Sequence, residues 1–210
     1  MKRREFLQAG IAAIPLIGVG LPSSSFAAER PSLPIYKTIF DERFPSSVAF
    51  AGEMRRLGSP VHAIRADVTQ VWFNDLYYRW RESPIAIAGM TTNRSLFCLD
   101  EFARDSGLRV VYHSDHRFLA DGTVQHEVFG PDGVEQAARL KDSGAHWGAE
   151  AANLIASFLN ASRAGFRPIR KSADPLISAN DPQPLVSWVI APVRPRNAMP
   201  SEGPDAGRLS

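Results

Sequence analysis

Pro84-Ile85-Ala86-Ile87-Ala88-Gly89 places a four-residue apolar run between two residues that break regular structure. The run has no polar alternation, so both of its faces need cover. That is the pattern of a central strand in a parallel sheet with helices packed on each side.

Working outward, the flanking segments alternate between strand and helix patterns. Ile35 to Phe40 is a β-prone run and the first strand candidate. Pro45 opens a helix through about Leu57, with Gly58 as its stop. Val61 to Ala66 reads as a second strand. Asp67 and Gln70 then stand at capping-box spacing, and Val68, Val71, Trp72, Leu76 and Trp80 recur at helical intervals until Pro84. Beyond Gly89, one of Thr91, Thr92 and Asn93 caps a helix whose Leu96, Leu99, Phe102 and Ala103 share a face, and Gly107 ends it. Leu108 to Tyr112 is the fourth strand. Strand and helix in alternation argue for parallel strands joined by right-handed crossovers.

After Tyr112 the pattern changes. Arg117 to Leu119 and Val124 to Phe129 flank Asp121-Gly122, the signal of a β-hairpin. A short helix is expected from Pro131 to Leu140 and a firmer one from about Ala145 to Asn160, carrying Trp147, Ala151, Leu154, Ile155 and Phe158. Residues 161–184 read as a Pro- and Ser-rich loop, and Leu185 to Ala191 as a last strand. The expected fold is α/β: a mostly parallel sheet of about four to six strands with helices on both faces, plus a β-hairpin and a long C-terminal helix. It fills one domain over residues 28–194, followed by a disordered Pro/Gly-rich tail over 195–210.

The N-terminus reads differently. Lys2-Arg3-Arg4-Glu5-Phe6-Leu7 gives a basic start, Ala9 to Leu21 a moderately apolar run, and Ser25 and Ala27 the small residues of a cleavage site. The pair Arg3-Arg4 followed by Phe6-Leu7 resembles the twin-arginine (Tat) signal of exported bacterial proteins, over residues 1–27 only. The resemblance implies the Tat export machinery as a partner, cleavage after Ala27 and a periplasmic location. The apolar run is about 13 residues, short of the ~20 that span a bilayer, so no stable membrane span is expected after cleavage. With Cys98 the single cysteine, no lipoprotein signal and no internal disulfide is expected.

Cleavage also changes the charge. The chain carries 24 Lys+Arg and 22 Asp+Glu; removing Lys2, Arg3, Arg4 and Glu5 leaves 21 of each sign. A neutral domain has no net field to attract nucleic acid or an anionic membrane, and neither is expected as a partner.

In open parallel sheets, ligands bind beyond the carboxyl ends of the strands. That rule collects Asp41 and Arg43 after the first strand, Asp67 after the second, Thr91, Thr92 and Asn93 after the third, and His113, Asp115 and His116 after the fourth. The Gly89–Asn93 segment, as a turn into a helix N-terminus, would offer N–H groups and hydroxyls to an anion, with Arg43 alongside. His113 and His116, with Asp115 between them, are candidate metal ligands or general bases, and His126 joins them if the hairpin folds back. Cys98, in an apolar helix, reads as a small hydrophobe. No cofactor motif is present: the first strand–helix turn, Asp41 to Pro45, lacks the glycines a pyrophosphate needs. The expected function is a periplasmic ligand-binding protein or an accessory subunit of an exported, redox-type enzyme, taking a protein partner or a small anionic ligand. The alternative is a small metal-dependent enzyme using Asp41, Asp67, His113, Asp115 and His116.

Overall fold

The computed structural model describes residues 33–162, 166–169 and 185–193. The signal read over 1–27, the tail over 195–210 and most of the expected 161–184 loop lie outside the described residues. In chain order come β1 (Lys37–Asp41), α1 (Pro45–Arg56), β2 (Val61–Ile64), α2 (Thr69–Val71), a π-helical turn (Trp72–Leu76) and α3 (Tyr77–Glu82). They are followed by β3 (Ile87–Thr92), α4 (Asn93–Arg104), β4 (Leu108–Phe118), β5 (Val124–Phe129), α5 (Gly133–Asp142), a 3₁₀ turn (Gly144–His146), α6 (Trp147–Ala161) and β6 (Leu185–Pro192).

The six strands form one sheet in the order β2-β1-β3-β6-β4-β5. β1 pairs in parallel with β2 and β3, while β6 runs antiparallel to both β3 and β4, and β5 antiparallel to β4. The sheet is therefore mixed rather than mostly parallel. The long helix is α6, but β6 follows it, so it is not a C-terminal helix. β6 defeats the parallel expectation because its run from Leu185 to Ala191 is buried on both faces. Such a run looks alike in either direction; direction is set by the connection, not by the strand.

Helices cover both faces. α1, α5 and α6 lie on one side, where Phe50, Met54, Leu140, Trp147, Leu154, Ile155 and Leu159 meet Ala88, Met90 and Val189 of the sheet. α2, α3 and α4 lie on the other, where Val71, Leu76, Trp80, Leu96 and Leu99 meet Ile39, Ile87, Trp188 and Ile190. The π-helical turn inside the 68–82 segment lets Trp72 stack on Phe102 of α4, ring centroids 4.5 Å apart, while Trp80 is buried with its Nε1 donating to the Ile85 carbonyl at 3.1 Å. Phe73 and Tyr78 remain 60% and 61% exposed.

Three local boundaries move. β3 begins two residues later than the apolar run, because Ile85 and Ala86 spend their carbonyls on Trp80 and on the Tyr36 amide. β3 then continues through Thr92, so the expected Gly89–Asn93 turn is strand, and α4 starts directly at Asn93. The capping box is replaced by a tighter closure. α2 begins at Thr69, Val68 supplies no side-chain cap, and Asp67 Oδ1 accepts from the Thr69 amide at 2.8 Å.

Candidate functional site

β4 is eleven residues long, and this relocates the histidine cluster. His113, Asp115 and His116 lie within the strand instead of in a loop beyond it. Near its start the strand carries an irregularity between Val110 and Tyr112. Leu108 and Val110 face the α4 side, whereas Val111 and Tyr112 both join the α6-side core. One extra residue reverses the parity of everything that follows. His113 and Asp115 therefore face the α4 side, and Ser114, His116 and Phe118 face α6.

Spacing within the strand separates the proposed metal pair. Three positions apart in a strand, His113 and His116 project to opposite faces and cannot ligate one ion. Among the described residues, no group of three or more His, Cys, Asp or Glu side chains is placed to hold a metal. Instead each histidine has its own partner. His113 Nε2 lies 2.6 Å from Asp115 Oδ1, both side chains buried. His116 sits directly opposite His126 across the hairpin, with their Nδ1 atoms 2.9 Å apart, and its Nε2 lies 3.0 Å from Ser187 Oγ on β6. The hairpin thus folds His126 back, but onto His116 alone.

The His116–His126 pair has only one proton between its two Nδ1 atoms: one ring donates and the other accepts. Both rings are held neutral. Burial pushes His116 well below its ordinary value, and the neighbouring His126 lowers it further; burial pushes His126 down to about 4. Trp147, the first residue of α6, closes over both rings, its centroid 4.5 Å from His116 and 5.1 Å from His126.

His126 and Trp147 also line an open cleft of about 960 Å³ between the β4–β5 hairpin and the α5–α6 corner. Its walls are Leu119, Val124, Ala137, Ala138 and Ala145, with Lys141 as the one other ionisable side chain besides His126 and no carboxylate. Lys141 forms no ion pair among the described residues. The site is therefore largely apolar, with one cation, one imidazole and the polar side chains of Thr123 and Gln125.

The remaining candidates serve the fold. The Asp41 carboxylate, buried at the end of β1, accepts from Arg43 Nε at 2.9 Å, Arg43 Nη2 at 2.7 Å and the Arg43 amide at 3.2 Å. The Asp41 amide donates to Ser47 Oγ, which donates to the Met90 carbonyl at 2.6 Å, tying α1 to β1 and β3. Arg43 is thus committed to its neighbour. Thr91 Oγ1 accepts from Trp188 Nε1 at 3.0 Å, and Thr92 Oγ1 lies 3.2 Å from Ser95 Oγ. Gly89 has a packing role: a Cβ there would stand 2.4 Å from Trp188 Cζ2 and 2.5 Å from the Ile39 carbonyl. The anion turn expected at Gly89–Asn93 does not exist, because its first four residues continue β3. Asn93 is the first residue of α4, and Asp67 stands exposed after β2, next to Ala66, whose carbonyl accepts from Ser95 Oγ at 2.8 Å. Thr91 and Asp115 share a row of the sheet through Val186, and Thr92 and His116 share the next through Leu185.

Sequence reasoning missed the cleft. Trp147 reads as helix core and Lys141 as an ordinary helix-end charge, and nothing in their spacing joins them to a hairpin some twenty residues upstream. The usable signal is the Asp121-Gly122 turn. Counting equal steps to either side of Asp121, the middle of the five-residue turn, sets His116 opposite His126. No family model, curated protein or solved structure matches the chain.

Proposed function

We propose that this chain is an exported protein of the periplasm that binds a small molecule in the cleft between the β4–β5 hairpin and the α5–α6 corner. The supporting observation is the lining: five aliphatic side chains, the Trp147 indole and the His126 imidazole border an open space of about 960 Å³. Small-molecule sites are typically such clefts, apolar with a few placed polar groups. The twin-arginine resemblance of residues 1–27 supports the location. The metal-dependent enzyme is not carried forward, since His113 and His116 face apart.

The test uses the mature protein and the small-molecule fraction of a bacterial periplasm. Thermal unfolding with and without that fraction, and native mass spectrometry, are expected to show a retained molecule and a raised Tm. Ala138→Trp fills the cleft from an exposed position on α5 and should abolish both. A Tm unmoved by the extract, or moved equally in Ala138→Trp, overturns the cleft. For export, Arg3→Lys with Arg4→Lys should hold the precursor in the cytoplasm on cell fractionation; normal release into the periplasm would refute the twin-arginine reading.

An accessory role is the second reading. It is favoured by Phe73, Tyr78 and Phe97, which are 60%, 61% and 63% exposed on the α2–α4 side of the sheet, opposite the cleft. It expects a stoichiometric polypeptide on the purified protein that is lost in Phe73→Ser/Tyr78→Ser.

A further inference from the structure

The cleft is asymmetric in charge. Its only formal charge is the Lys141 ammonium, which has no carboxylate beside it among the lining residues, and its other ionisable group is His126. A cationic ligand would meet repulsion there, and a neutral one would gain nothing from the ammonium. A dianion would bring more charge than one ammonium balances. A monoanion with an apolar body answers both the ammonium and the aliphatic walls.

The chain behind His126 adds a direction. His126 Nδ1 is occupied by His116 Nδ1, and His126 lines the cleft. Two proton arrangements are open to the neutral chain. In one, Ser187 Oγ–H donates to His116 Nε2, His116 Nδ1–H donates to His126 Nδ1, and His126 carries its proton on Nε2. In the other, every donor reverses, and His126 Nε2 becomes an acceptor. An acceptor oxygen in the cleft selects the first arrangement, in which all three donors point toward it and each bond polarises the next. Burial keeps both rings neutral, so the chain offers a directed N–H rather than a second charge.

Resting on the cleft as the binding site, we propose that its ligand is an organic monocarboxylate with an apolar body, its carboxylate taken by Lys141 Nζ and His126 Nε2–H, and that Ser187 and His116 act as positioning residues that turn that N–H outward. The aliphatic or aromatic body lies against Trp147, Leu119, Val124 and Ala137.

The experiment titrates the mature protein with decanoate and with 4-phenylbutyrate, following tryptophan fluorescence, and with the methyl ester of each. The expected result is that at least one acid binds about tenfold or more tightly than its ester, the loss of a charge-assisted contact being about 1.4 kcal/mol or more. Lys141→Met, an exposed change on α5, should erase that preference without weakening the ester. Histidine ¹⁵N spectra of the acid complex should place the proton of His126 on Nε2 and that of His116 on Nδ1, and Ser187→Ala should blur that assignment. Equal affinity for acid and ester, a preference that survives Lys141→Met, or a His126 with bare Nε2 in the complex each overturns the proposal while leaving the cleft as a site. If neither acid binds, the molecule retained from periplasmic extract decides: an organic acid supports the proposal, and a neutral or cationic compound refutes it. Loss of all binding, extract included, would instead fall on the cleft itself.

Discussion

Replacing Gly89 by Ala is the sharpest test of how this sheet is packed. A single methyl is added on the α4 face of β3, and it would stand 2.4 Å from Trp188 Cζ2 and 2.5 Å from the Ile39 carbonyl oxygen. Neither neighbour yields easily. The Ile39 oxygen belongs to the backbone of β1, which is paired with β3 through Ile39 and Gly89 themselves. Trp188 is fully buried, and its Nε1 is anchored on Thr91 Oγ1 at 3.0 Å. To clear a normal carbon contact, the indole must shift by about 1 Å, which strains that hydrogen bond and disturbs Leu96 and Leu99 beyond it. Overpacking in a rigid core costs about 1–3 kcal/mol, and a lost buried hydrogen bond about 1 kcal/mol more, so a loss of about 2–4 kcal/mol is expected. With an m-value of about 2 kcal/mol/M, the urea midpoint should fall by about 1–2 M. Circular dichroism at rising urea measures it, and Trp188→Leu supplies the control. In the double variant the smaller side chain makes room, so the two changes should couple by more than about 1 kcal/mol. A loss under about 1 kcal/mol, or strict additivity with Trp188→Leu, would refute the packing argument and return Gly89 to consideration as a ligand turn.

Three further outcomes follow from the histidine pair, from Asp41 and from the hairpin turn. His116 and His126 are neutral in the fold with lowered affinities for the proton, while the unfolded chain takes up those protons near pH 6.5; stability should therefore hold above about pH 6.5 and fall as pH drops toward about 4, by up to about 1.4 kcal/mol per pH unit for each ring. Urea midpoints across a pH series measure this slope, and His126→Asn should make it shallower; an unchanged slope would sink the assignment. Asp41→Asn removes a charge that receives three donors from Arg43, and should cost about 1–2 kcal/mol in urea unfolding, since the half-exposed arginine can turn to water. Gly122→Ala in the hairpin turn, where φ is 82° but nothing lies within 4 Å of the added carbon, should cost only the backbone preference of about 1 kcal/mol in urea unfolding.

What could be read from the sequence divides along physical lines. Local signals survived. Pro45 does open α1, Asp121-Gly122 does turn a hairpin, and the apolar stripe from Trp147 to Phe158 does form the long helix. Each depends on residues within a turn or two of each other. What was lost depends on partners far along the chain. The direction of β6 is decided by how residues beyond α6 return to the sheet, and its seven-residue buried run carries no mark of direction. The facing of the histidines hangs on the irregularity between Val110 and Tyr112, which swaps a whole half-strand from one face to the other and leaves no trace in composition. The candidate residues are indeed polar groups in unusual places, yet most are buried because they serve neighbours: Asp41 holds Arg43, Thr91 holds Trp188, and Asp115 meets His113. The cleft needs three elements from two chain regions, and of its lining only His126 stands out by residue type.

The seating of β6 between β3 and β4 also orders events in time. During synthesis, β1 to β3 with their helices and the β4–β5 hairpin with α5 and α6 can each begin to assemble, but β3 and β4 keep an unpaired edge until residues 185–192 emerge. The strand that joins the halves is the latest of the six to be made, and its contacts reach far back, as between Trp188 and Thr91, 97 residues apart. Such distant closures are slow, and open edges are where nascent chains pair wrongly. A chain stopped before Leu185 would not be a smaller version of this protein; it would be two half-sheets, each exposing a backbone edge to whatever strand arrives first.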